Sequence, residues 1–107
     1  MFKSTKEWNQ FLDSVDFKKS PLSKCSKAVL DKFNAELRFE NGGCAHGYYG
    51  GISSELSTED FYAVLNTLGI SEELFDDIKD TVCKVHPGSL GCEHNNSTWC
   101  NPHYCHQ

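Results

Sequence analysis

The chain has 107 residues, 38% hydrophobic and 23% charged, with a formal net charge of -5. That apolar content supports one small core and excludes wholesale disorder, and no apolar run approaches the roughly 18 residues needed to cross a bilayer. Residues 1–39 carry eight Lys/Arg against five Asp/Glu, residues 40–80 one lysine against nine acids, and residues 81–107 one of each. A nucleic-acid binder shows a dominant basic face, and this chain has none. Lys18-Lys19-Ser20-Pro21-Leu22-Ser23-Lys24 is only a weak phosphate signal. The acidic middle points instead to a basic surface on a partner protein.

In chain order, Ser4 and Glu7 form a capping-box pair ahead of Trp8, Phe11, Leu12 and Val15, which predicts a helix over 5–16. Pro21 separates it from a second helix over 22–35, with Leu22, Cys25, Val29 and Phe33 on one face. Cys25 on that stripe reads as a small buried hydrophobe. Residues 37–49 change to alternation around Asn41-Gly42-Gly43, which predicts a short β-hairpin. Ser57 caps a third helix that Gly69 ends. Ser71 caps a fourth, whose inner face carries Leu74, Phe75, Ile78, Val82 and Val85 until His86-Pro87-Gly88 stops it. Residues 89–107 show no apolar period and no core of their own. The expectation is one domain over 1–107, mainly α-helical with about four helices in 1–88, a hairpin near 37–49 and an irregular Cys/His-rich lobe over 89–107.

Every histidine follows a cysteine within three positions: His46 after Cys44, His86 after Cys83, His94 after Cys92, His103 after Cys100 and His106 after Cys105. Thiolate and imidazole are the donors that zinc and copper(I) prefer. Cys83 and His86, three apart at a helix end, suit one ion, and Cys44 with His46 complete a Cys₂His₂ set. Cys92, His94, Cys100, His103 and Cys105 offer a second, denser set, with the terminal His106 least suited because chain ends fray. The spacing matches no standard zinc-finger signature. On this reading structural zinc is the cofactor, copper(I) the competing ion, and the protein is a non-catalytic interaction module binding a partner protein.

The rival reading is a disulfide framework with no metal. Six cysteines are an even count, and bridges stabilise a tail without a core. Asn95-Asn96-Ser97-Thr98 holds two overlapping glycosylation sequons that matter only in a secreted protein. The N-terminus lacks the apolar stretch of a signal peptide, so an intracellular location is expected; a mature secreted domain behind an added Met1 is the alternative. A metal-handling protein carrying copper or zinc is the third reading. Catalytic signals are weak: Cys44–His46 and Cys83–His86 are candidate nucleophile–base pairs by proximity only. Glu93 between two ligands reads first as a solvated loop acid. Neither a phosphate-binding glycine loop nor a dinucleotide fingerprint is present.

Overall fold

Serine punctuates the helical half of the chain. In the computed structural model, which describes residues 1–86 and 89–105, with side chains for 1–83 and 92–105, helices α1 (Thr5–Leu12), α2 (Val15–Lys19), α3 (Lys27–Glu36), α5 (Thr58–Thr67) and α6 (Glu72–Ile78) each follow a serine. The side chains of Ser4, Ser14, Ser26, Ser57 and Ser71 accept a first-turn N–H, satisfying donors that have no intrahelical partner. Ser20 does the same for a 3₁₀ turn over Pro21–Lys24. Gly69, at φ +80, ends α5 while the Ile70 N–H returns to the Leu65 carbonyl at 3.0 Å, a helix stop that favours glycine. Helix α4 (Gly50–Glu55) alone among them lacks a side-chain cap.

The remaining elements form one antiparallel sheet: β1 (Arg38–Glu40), β2 (Gly43–Tyr48), β3 (Lys79–His86) and β4 (Ser89–Cys100), in spatial order β1-β2-β4-β3. Asn41 (φ 55) and Gly42 (φ 87) make the two-residue β1–β2 turn, the Asn-Gly geometry that suits strand twist. The last strand in chain order, β4, therefore sits inside the sheet, between β2 and β3.

This corrects the expectation of a mainly helical fold of about four helices. Among the described residues, six α-helices and a four-stranded sheet make it α+β. Helix α6 does not continue through Val82 and Val85; it stops at Ile78, and Asp80 at φ 61 turns the chain into β3. Ile78, Val82 and Val85 satisfy a helical period, but Thr81, Val82 and Val85 are β-branched and fit a pleated surface better. Residues 89–100 are not an irregular lobe either. They form a twelve-residue strand whose partners lie 3 to 20 residues back on β3 and 50 to 54 residues back on β2, pairings that periodicity does not register. The 5–16 and 22–35 segments each break once, at Ser14 and at Cys25–Ser26, while the 37–49 hairpin forms where expected.

The main core gathers Trp8, Leu22, Phe33, Leu37, Cys44, Ile52, Phe61, Val64, Leu65, Leu68, Ile70, Phe75, Ile78 and Trp99, with Cys25 packed half-buried against it. Trp8 donates its indole N–H to Asn34 at 3.0 Å, tying α1 to α3. Trp99 of β4 is fully buried and stacks near Phe33, ring centroids 6.1 Å apart. No helix among the described residues is long and apolar enough to cross a membrane.

Trp99 lies directly over Gly47, so that a methyl group at Gly47 would overlap its six-membered ring. Gly47→Ala is expected to cost about 1–3 kcal/mol, the usual range for overpacking a tight core. A lowered urea midpoint with an unchanged slope measures it.

Candidate functional site

The cysteines of the C-terminal half converge on one end of the sheet. Cys83 lies opposite Cys92 in the β3–β4 ladder, Cys100 ends β4, and Cys105 follows on a turn in which the Cys105 N–H donates to the Asn101 carbonyl at 2.8 Å. Cys83 is bridged to Cys105 and Cys92 to Cys100, with Cα–Cα separations of 5.9 and 5.7 Å, inside the range a disulfide requires. Together with Ala45 and Tyr104 they build a second, smaller core. Tyr104 lies flat on Gly43, where a side chain would overlap its ring, and the Asn41 side-chain amide donates to the Tyr104 carbonyl at 2.9 Å. The tail expected to lack a core thus shares one made of sulfur and an aromatic ring.

The sulfur atoms of Cys83, Cys100 and Cys105 all lie within 4.8 Å of one another. Zinc bonded to thiolates at about 2.3 Å spaces its sulfurs at about 3.8 Å, so the reduced trio fits an ion with small adjustment. Metal and disulfides are alternative states here, since a bridged sulfur is no longer a thiolate ligand. Among the described residues no histidine joins this group. His94 and His103 are exposed, and the His103 ring sits edge-on to Tyr104. The side chain of His86, and the whole of His106, lie outside the described residues. Cys83, expected on a helix end beside His86, stands on a strand instead.

Cys44 and His46 occupy the other core. His46 is 4% exposed and its Nδ1 donates to the Glu36 carbonyl at 2.8 Å; because a carbonyl only accepts, the proton is on Nδ1. Its Nε2 is buried with no hydrogen-bond partner among the described residues. The Cys44 thiol donates to the His46 carbonyl at 3.6 Å, not to the ring. The Trp99 indole N–H is likewise buried without a hydrogen-bond partner among the described residues. Burial is the dominant cause that pushes the Cys44 thiol up to about 12. A thiol so strongly held protonated is a poor nucleophile and a poor metal ligand.

A polar junction that sequence reasoning missed holds the two cores together. Between the pairs Thr81–His94 and Lys79–Trp99, β3 advances two residues while β4 advances five, so residues 95–98 bulge. Asp80 and Ser97 both have positive φ there. The Asp80 carboxylate accepts from the Tyr49 hydroxyl and from the Ser97 N–H at 3.1 Å, and the Tyr49 N–H donates to the Ser97 carbonyl at 2.8 Å. The Tyr49 hydroxyl, with the Ser97 N–H behind it, holds the Asp80 carboxyl below its ordinary value. Burial, then the neighbouring carboxylate, push Tyr49 up to about 12. Thr98 donates to the Thr81 carbonyl at 2.6 Å, and the Thr81 hydroxyl accepts from the Cys100 N–H at 3.0 Å. Nothing in the local sequence marks Asp80, because its partners come from β4 and from the residue before α4.

The acids of the middle segment face outward. Glu59 on α5 and Glu72, Glu73, Asp76 and Asp77 on α6 are exposed, with Lys79 3.8 Å from Asp76. Asp60 pairs with Lys24 at 3.1 Å.

No known family model matches the chain, and neither a curated protein nor a solved structure resembles it significantly.

Cys44 and Tyr49 both keep their protons longer folded than unfolded. Their contribution to stability is complete below the ordinary values of 9.0 and 10.0 and is lost as pH rises toward about 12. Urea midpoints are expected to fall between pH 9 and 11, less steeply in Cys44→Ala. In the native protein at pH 8, iodoacetamide should label Cys44 about a thousandfold more slowly than an ordinary thiol; mass spectrometry reads that ratio against an unstructured cysteine peptide added to the same sample.

Proposed function

We propose that this is a small, non-catalytic binding protein of the secreted, disulfide-stapled type, which engages a basic surface of a partner protein through its acidic α5–α6 face. The observation that carries the reading is the pairing of four cysteines into two bridges around one small core, with the described histidines left outside it. A loop-closing bridge acts mainly on the unfolded chain. With sequence separations of 22 and 8, the loop model gives about 3.4 and 2.6 kcal/mol taken singly. The smaller loop is nested in the larger, so the sum is an upper bound. Even so, this is comparable with the whole net stability of a small domain, about 5–15 kcal/mol.

The binding half of the reading is supported by charge and by chemistry. Five exposed carboxylates on two consecutive helices have Lys79 as their near cation, so a cationic partner gains steering and register there. The one buried thiol beside a histidine is set up against catalysis, because it is held protonated.

A second reading, the intracellular zinc-stabilised interaction module, is favoured by the trio of Cys83, Cys100 and Cys105 sulfurs within 4.8 Å. Cys92 would supply the fourth donor, and the metal would replace both bridges as the cross-link of the same small core.

Intact mass with and without reduction separates the two. Two bridges make the native protein about 4 mass units lighter than its reduced form, since each S–S bond lacks two hydrogens. The expected outcome is that deficit with no stoichiometric metal by elemental analysis. One zinc per chain with all six thiols alkylatable in the denatured protein, rather than Cys25 and Cys44 alone, would replace the stapled reading by the metal one. For the surface, a fluorescent oligolysine peptide should bind at low salt, and binding should weaken at least tenfold on replacing Glu72, Glu73, Asp76 and Asp77 by Lys. Equal binding by both proteins would remove the α6 face from the proposal.

A further inference from the structure

The two bridges are not independent. Cys100 belongs to the Cys92–Cys100 bridge, yet its sulfur lies within 4.8 Å of both sulfurs of the Cys83–Cys105 bridge. The accessibility of the four is also unequal. Cys83, Cys100 and Cys105 are 8%, 0% and 1% exposed, whereas Cys92 is half-buried. An external thiolate therefore reaches Cys92 first, and attack there expels Cys100 as the leaving group.

We propose that the four cysteines form one thiol–disulfide relay, in which reduction at Cys92 is passed through Cys100 to the Cys83–Cys105 bridge. This rests on the disulfide reading of the cluster. In the first step a thiolate from a small reductant, such as glutathione, bonds to the Cys92 sulfur. The Cys92–Cys100 bond breaks and its electron pair leaves on Cys100 as a thiolate. In the second step the Cys100 thiolate bonds to Cys83 or Cys105, and the Cys83–Cys105 bond breaks with its electron pair leaving on the other sulfur. Each step exchanges one S–S bond for another, so no net oxidation occurs inside the protein. The only reducing equivalent is the external thiol, now bound to Cys92. The thiolate finally released takes a proton from solvent.

The physical reason for the second step is placement. Cys100 is expelled into the small core formed by Ala45, Cys83, Cys105 and the half-buried Tyr104, where a bare thiolate is poorly solvated. The neighbouring disulfide sulfurs are already at hand, at an effective concentration that no solution thiol matches. The consequence is that one encounter at Cys92 disturbs both staples. The bridge that ties β3 to the C-terminal turn responds to a thiol that never touches it, which makes the Cys92 end of the hairpin a redox-sensitive entry point to the whole C-terminal half.

Disulfide mapping of the full-length protein tests this, with thiols blocked by N-ethylmaleimide in acid before chymotryptic cleavage. Trp99 and Tyr104 allow cuts that separate Cys100 from Cys105. Wild type is mapped first. If it lacks the Cys83–Cys105 and Cys92–Cys100 bridges, the stapled reading falls and the relay with it. If both bridges are present, Cys92→Ser leaves Cys100 without its partner. The relay then expects a substantial fraction, at least a tenth, of Cys100 bridged to Cys83 or Cys105. Cys100→Ser should retain Cys83–Cys105 alone, with Cys92 a free thiol. Cys92→Ser with only Cys83–Cys105 and a free Cys100 overturns the relay while leaving the stapled reading intact. Equal scrambling in both variants overturns it too.

A second measurement stands even if Cys92→Ser fails to fold. Wild type is exposed to limiting glutathione, quenched and mapped. The expected species carries glutathione on Cys92 and a new bridge at Cys100; glutathione on Cys92 with Cys100 trapped as a free thiol beside an untouched Cys83–Cys105 bridge overturns the proposal.

Discussion

The burial of Trp99 is the interaction on which the arrangement of this protein depends. Its indole ring is fully buried, lying over Gly47 of β2 and against Phe33 of α3. Only one register of β4 against β2 allows that: His46 opposite Cys100, Gly47 opposite Trp99 and Tyr48 opposite Thr98. A slip of one residue would present Trp99 to the opposite face. Since β3 joins the sheet through β4, the same ring also anchors the outer strand.

From that anchor the C-terminal half divides into two regions of different character. Near Trp99, packing and hydrogen bonds specify the structure: Asp80 gathers the Tyr49 hydroxyl and the Ser97 N–H, and Thr81 accepts across the strands from the Thr98 hydroxyl at its carbonyl and from the Cys100 N–H at its own hydroxyl. Positive φ at Asp80 and Ser97 costs energy that these bonds offset. Farther along, the pairing of β4 with β2 covers Thr98 to Cys100 alone among the described residues, whereas Ser89 to His94 pair with β3, and a two-stranded hairpin is marginal in water by itself. There the cysteine cluster does what apolar burial does elsewhere. Cys83 ties β3 to the C-terminal turn, Cys92 ties the hairpin to the end of β4, and Tyr104 on Gly43 closes the turn against β2.

Sulfur consequently has two roles in one chain, separated by environment. Cys44, in the main core, acts as a small apolar side chain kept protonated by burial. The four clustered cysteines make up most of a core too small to hold itself. The helical half, with its acids outside and its aromatic rings inside, can present a charged surface while the cross-linked half supplies rigidity.

By itself the sequence determined the local choices. Serine before each of five helices, Gly69 after α5 and the Asn41-Gly42 turn act within a few residues, through hydrogen bonds the backbone needs wherever the chain sits. The apolar faces around Trp8, Phe33, Phe61 and Phe75 were legible for the same reason. The clustering of cysteine was legible too, but its pairing was not: four cysteines can be joined in several ways, and only their placement in space selects among them. Tertiary structure alone decided that residues 79–86 are a strand although Ile78, Val82 and Val85 keep a helical period, because the hydrogen-bonding partner of that strand follows in the coreless-looking tail. It also decided that Cys44 and Cys83 belong to different cores and that Asp80 has a partner at all. Contacts such as Tyr49 with Asp80 and Asp80 with Ser97 join residues far apart in the chain, and a side chain's chemistry does not reveal what the fold will bring to it.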